Sequence, residues 1–182
     1  MKVNRSLVIY LGIIVISLSI IGYTLYYFYD QMGGFDELEV IELNPIERKI
    51  VGITYQGKAQ TATYEKAVAK CVDQISNKKL NGVLTIITYK SDTLESNEVS
   101  LFIGISLNSS MAEIPYDFEV RQLSSKNRYG MFLSMHPAVR PSIDRVEKML
   151  TSQAKTDGKE LLPMFMELYY PDDSMTIEAW TK

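Results

Sequence analysis

Reactive sulfur and imidazole are almost missing from this 182-residue chain, which has one cysteine, Cys71, and one histidine, His136. A lone cysteine excludes an intrachain disulfide and a thiolate metal cage. A lone histidine excludes a two-histidine metal site, including the His-x-x-x-His zinc pattern. Neither a glycine-rich phosphate loop nor a Gly-x-Ser-x-Gly elbow occurs, which removes the commonest nucleotide and hydrolase signatures. Charge is nearly balanced: 19 basic against 22 acidic residues give a formal net charge of −3, with no basic cluster or stripe. That argues against a nucleic-acid surface. No metal and no cofactor is implied.

What the chain does have is a long apolar run. From Leu7 to Tyr29 there is no charged side chain, and Lys2 and Arg5 stand just before it. As a helix the run spans about 35 Å, enough to cross a hydrocarbon core of about 30 Å with some tilt. Its far end carries Tyr23, Tyr26, Tyr27, Phe28 and Tyr29, an aromatic girdle of the kind found at a bilayer surface. A cleaved signal peptide is the rival reading, with Ser17-Leu18-Ser19 as a faint cleavage site. The apolar run continues past that point, so length and flanks favour a retained anchor. Basic residues before the helix, and Asp30, Asp36, Glu37, Glu39 and Glu42 after it, put the amino terminus in the cytoplasm and the body outside. The expected division is a basic amino terminus at 1–6, a transmembrane helix at 7–29, a linker at 30–36 and one domain at 37–182. That domain, of about 140 residues, is large enough to bury a core.

Within it, strands are expected at 38–43, 49–55, 84–90, 99–107, 117–123, 128–134, 164–170 and 175–180, from apolar alternation bounded by turn residues such as Asn44-Pro45, Gln56-Gly57 and Asn81-Gly82. The segment 91–97 reads as a polar loop. Residues 61–77 have helical spacing, with Tyr64, Val68, Cys71, Val72 and Ile75 on the inner side. A second helix is expected at 141–152, with Ile143, Val146, Met149 and Leu150 inward, then a solvated loop at 153–159. The order repeats: each half reads strand, helix, strand, strand, at a separation near 80 residues. Ile87 to Asp92 lines up with Glu167 to Asp172, and Gln56-Gly57 with His136-Pro137. This is an α+β pattern, a pseudo-twofold duplicated unit with two helices on one face of an antiparallel sheet. Two such halves leave a cleft between them, where ligands are usually held.

Three stretches carry a resemblance: 48–57 with its glycines, Arg128-Tyr129-Gly130-Met131-Phe132 leading through His136-Pro137-Ala138, and 165–171 around Glu167-Leu168-Tyr169. Their order and spacing resemble the GyrI-like domain, the effector-binding domain of bacterial multidrug-sensing regulators. The similarity covers most of the chain beyond the apolar run. It implies a small-molecule site in which the matching glutamate, Glu167, faces a lipophilic cation. Some members of that family hydrolyse strained cyclopropane-containing compounds, so the resemblance also implies Glu167 as a catalytic group if the chain is an enzyme. The anchor with this domain further resembles membrane-tethered autophagy receptors of the endoplasmic reticulum. That likeness implies a protein-interaction scaffold facing the cytosol, and Phe35-Asp36-Glu37-Leu38 fits an aromatic-x-x-leucine motif. No helix-turn-helix accompanies the domain.

On a strand, Phe165, Glu167 and Tyr169 share one face, while Met166, Leu168 and Tyr170 share the other. The second set is expected to pack on the helices. The first places a carboxylate between two rings; lining a cleft, it attracts a cation, and on an open face it meets only water. Tyr129, Trp180 and Tyr89 are further candidates for the same cleft, beside the alternative that they are core. His136 reads as a helix cap beside Pro137 or as an axial ligand of the kind used in heme proteins of a related fold. Cys71 reads as a small buried hydrophobe. Ligand identity, a protein partner and turnover stay open.

Overall fold

The structure, a computed structural model, describes residues 5–59, 61–91, 94, 98–108 and 113–182. The expected loop at 91–97 falls mostly outside the described residues. The chain divides into two compact units, Met1–Glu37 with Met135–Arg140, and Leu38–Ser134 with Pro141–Lys182.

The first unit is built on helix α1, Arg5–Gln31, two residues longer at its far end than expected. Every residue from Ile9 to Gln31 is exposed. The helix is apolar on all sides, and near its far end the Phe35 ring packs on Tyr26 and Tyr29, with centroids 5.1 and 4.8 Å apart. Two of its hydroxyls are served within the helix: Ser19 donates to the Val15 carbonyl at 2.9 Å and Thr24 to the Ile20 carbonyl at 2.8 Å. Length and composition therefore fit a membrane span or a signal anchor. A 3-10 turn, Pro137–Val139, belongs to the same unit, and the His136 amide donates to the Met32 carbonyl at 2.9 Å. His136 is a cap: its Nδ1 accepts from the Ala138 amide at 3.2 Å. It caps this turn and not the following α-helix, which starts six residues later.

The second unit is α+β. Among the described residues it holds one antiparallel sheet of eight strands: β1 Ile41–Leu43, β2 Ile46–Lys58, β3 Gly82–Tyr89, β4 Glu98–Leu107, β5 Glu119–Ser125, β6 Arg128–Leu133, β7 Leu161–Tyr169 and β8 Met175–Thr181. Helix α2, Ala62–Ser76, packs on β2, β3 and β4, and helix α3, Ile143–Thr156, on β6, β7 and β8. The strand order β1-β6-β8-β7-β3-β4-β2-β5 carries the duplication. In each half the first strand lies outside, the last lies next to it, and the strand after the helix lies at the centre. β7 and β3 meet there.

Chain connectivity forces this sheet to curl. Asn44 and Pro45 alone separate β1, at one edge, from β2, next to the other edge, and Lys126-Asn127 similarly joins β5 to β6. Two residues span less than about 7–11 Å, so the edges must approach each other. Gly52 of β2 faces Gly104 of β4, and a Cβ on Gly52 would stand 2.2 Å from the Ile103 carbonyl oxygen. Bare backbone at this pair permits the close approach.

Both faces of the curled sheet are buried. Val51, Ile86, Leu101, Ile103 and Ile105 pack with Ala67 and Cys71 of α2. On the opposite, concave face lie Ile50, Ile87, Phe102, Met166, Leu168 and Trp180. This corrects the expected arrangement of β7. Met166 and Leu168 pack inside the curl, and the Phe165, Glu167, Tyr169 set faces the helices. The separation of 80 residues is corrected with it, because Ile87 and Glu167 point to opposite faces. A one-residue slip flips every side chain of a strand, so the equivalent separation in these strands is odd.

Smaller corrections have local causes. Residues 38–40 precede the first strand. α2 begins at its cap, with Thr61 Oγ1 accepting from the Tyr64 amide at 3.3 Å, and Val72 and Ile143 are exposed where an inward position was expected. α3 runs on through Thr156, where a loop was expected from residue 153. Lys155 in its last turn complements the carbonyl end of the helix, and Lys159 beyond it pairs with Glu42. Cys71 is fully buried, and burial pushes its thiol up to about 11.

Candidate functional site

β7 puts Glu167 at the junction of the two halves, in register with Ile86 of β3 and Ile177 of β8. Apolar neighbours on both sides leave Glu167 5 % exposed. Tyr169, next on the same face, donates its hydroxyl to Glu167 Oε2. Each helix presents a titratable group to it: Tyr64 from α2 and Glu147 from α3. Burial pushes the Glu167 carboxyl above the usual carboxylate range. The charge of Glu147 adds to the rise, and the Tyr169 hydrogen bond and the charge of Lys90 oppose it. Burial raises the Tyr64 phenol as well, with the Glu167 charge contributing.

Lys90, directly after β3, closes the group. Its ammonium lies 2.7 Å from Glu147 Oε2 and 5.5 Å above the centre of the Phe165 ring. A depression of about 400 Å³ lies on the outer side of this ion pair, lined by Lys90, Glu147, Lys148, Thr151, Ser152, Lys155 and Phe165, with Glu167 not among its lining residues. The arrangement is acidic and aromatic: two carboxylates, one ammonium, two tyrosines and a phenylalanine. Burial disfavours the charged form of Glu167 because that form lacks water.

Of the six residues singled out in the sequence, the structure brings three together: Phe165, Glu167 and Tyr169. Tyr129 shares their face through the register Tyr129–Ala179–Phe165. Its hydroxyl, however, donates to Asp157 at 2.6 Å, past the end of α3, and Lys159 lies 5.3 Å above its ring. Trp180 and Tyr89 are on the concave face and do not share the face of Glu167. Trp180 Nε1 donates to Glu178 Oε2 at 2.9 Å. Tyr89 accepts from Arg121 at 2.6 Å, and that guanidinium stacks 4.0 Å above Phe102. The period-2 pattern alone could not place Tyr89, because its face is set by the register of β3 against β7. Glu147, Lys90 and Tyr64 went unrecognised. Glu147 had a signal: it stands three residues before Leu150 and seven before Ala154, on the inward stripe of α3.

No protein-family model matches the chain, and no curated protein is similar to it. Solved structures are. EcmrR in its complex with DNA matches with a TM-score of 0.56 at 12 % identity, over 98 % of this chain and 70 % of that one. The C-terminal domain of EcmrR matches with 0.54 at 9 % identity, over 80 % and 97 %. A hydrolase from Listeria innocua matches with 0.51 at 10 % identity, over 85 % and 98 %. What is shared is the fold.

Proposed function

We propose that the second unit is a binding module that captures a small amphipathic cation at Glu167, and that α1 tethers it to a membrane. One observation carries the reading: a glutamate 5 % exposed, set between Phe165 and Tyr169 where the two halves meet. A cation placed there gains a desolvated counter-charge, and each ring adds about 0.5–2 kcal/mol of cation–π attraction. The apolar flanks Ile86 and Ile177 reward a lipophilic body over a hydrated ion. The tether rests on the run of α1 from Leu7 to Tyr29, which has no charged side chain, and on the exposure of every residue from Ile9 to Gln31. Tyr23 to Tyr29 serve as its interfacial belt, and Lys2 and Arg5 hold the amino terminus in the cytoplasm.

Calorimetric titration of the full chain in non-ionic detergent with tetraphenylphosphonium tests the site. Glu167→Gln keeps the shape and removes the charge, so affinity falls at least tenfold, about 1.4 kcal/mol, with folding unchanged. Equal affinity in the two proteins refutes the site. Alkaline carbonate extraction of native membranes tests the tether: the chain stays in the pellet, and release into the supernatant refutes it.

A further inference from the structure

We propose that Lys90, held by Glu147 over the Phe165 ring, is a resident cation that covers the approach to the buried Glu167, so that a ligand reaches that carboxyl only when this lysine leaves. The inference rests on the binding reading above and adds what guards the site and which cations pass.

The stem of Lys90 is fixed at the mouth. Its backbone amide donates to the Pro163 carbonyl at 2.8 Å, across the β3–β7 junction. From there the ammonium reaches Glu147 at 2.7 Å and the Phe165 face at 5.5 Å, and its charge also acts on Glu167. A carboxylate and an aromatic face are the contacts an organic cation would seek, and Lys90 already makes both.

The two partners are unequal. The Glu147 side chain is 10 % exposed and that of Lys90 is 49 % exposed. Stripping Glu147 of its counter-charge leaves a buried anion, which is costly. Releasing Lys90 returns a flexible, strongly hydrated ammonium to water on which it already borders. An incoming cation that replaces it over Phe165 restores the charge balance of the cleft. Lys148 and Lys155 stand at the rim of the same depression. They repel small hydrated cations approaching from water, so the occupant is one drawn in by apolar surface. Metal ions and polyamines are disfavoured.

A site closed by its own lysine binds more weakly by the fraction of time it stands open. Tetraphenylphosphonium titrations of the full chain in non-ionic detergent, with Lys90→Met, Lys90→Arg and Glu167→Gln, read this directly. The expected result is affinity at least tenfold tighter for Lys90→Met and near wild type for Lys90→Arg. Unchanged or weaker binding by Lys90→Met overturns this role of Lys90. If Glu167→Gln still abolishes binding in that case, the binding reading stands alone. Loss of binding in every variant and in the wild type overturns both. A second readout needs no variant: saturating ligand increases acetylation of Lys90 by an amine reagent, measured by peptide mass spectrometry. Protection of Lys90 by ligand refutes the displacement.

Discussion

Glu178 should be the most sensitive polar residue of the sheet, and its removal tests the curl itself. Its Oε1 accepts from Arg48 of β2 at 2.8 Å and from Arg128 of β6 at 2.5 Å, and its Oε2 from the Trp180 indole. β8 and β2 are separated by three strands in the sheet, so the Arg48 contact exists only because the sheet closes over its concave face. The Glu178 side chain is 2 % exposed and that of Arg128 is 9 % exposed. Arg48 Nε is already buried with no partner among the described residues. Glu178→Ala strands two guanidinium groups in this trough at once. Breaking a buried pair from one side costs about 3–5 kcal/mol. For a domain of this size that lowers the melting temperature by roughly 6–20 °C, at about 2–4 °C per kcal/mol. The assay is built in. Trp180 is the sole tryptophan, 1 % exposed, so its emission follows unfolding and reports the trough directly. The control is Glu160→Ala, which removes an exposed partner of Lys182 and costs at most about 1 kcal/mol. A Glu178→Ala loss no larger than the control would mean that water reaches the trough and that the curl is not closed there.

Two further outcomes follow from single side chains. Glu167 has a folded-state pKa above its ordinary value near 4.5, so between the two the folded state holds more protons and stability falls as pH rises. Urea midpoints of the wild type should therefore decline relative to Glu167→Gln as pH rises from about 4 through the raised pKa, then run parallel; a wild type that gains on the variant over that range contradicts the buried carboxyl. Cys71, with a thiol near 11 and no exposure, should resist maleimide at pH 8 until denaturant is added, and prompt labelling of the native protein contradicts its placement on the buried face of α2.

Much of the architecture is legible from local pattern. The boundaries of α2 follow from Thr61 and Asn77, its caps, and the strand–helix–strand–strand order follows from apolar period and turn residues. Glu167 between two aromatics was visible as a pair of alternations. Its helix-side environment was not. Strand alternation identifies a buried face when the other face is wet, and here Met166 and Leu168 are as buried as Phe165 and Glu167. With both faces covered, the apolar pattern carries no vote on which side the helices take. Glu147 and Lys90 were passed over because charged residues are read as solvated until a partner is seen, and their partner is each other, 57 positions apart in the chain.

By itself, then, the sequence determined everything that depends on near neighbours. The uncharged run of α1, the period of each element and the caps are set within a few residues, and a single cysteine and histidine exclude whole chemistries. Tertiary structure decided the rest. Hydrogen-bond register between β3, β7 and β8 settled which side chains share a face. Closure of the sheet brought Arg48 to Glu178 across 130 residues of chain. The physical reason is that both depend on pairing distant strands, and a one-residue change in that pairing reverses every face while leaving each local pattern untouched.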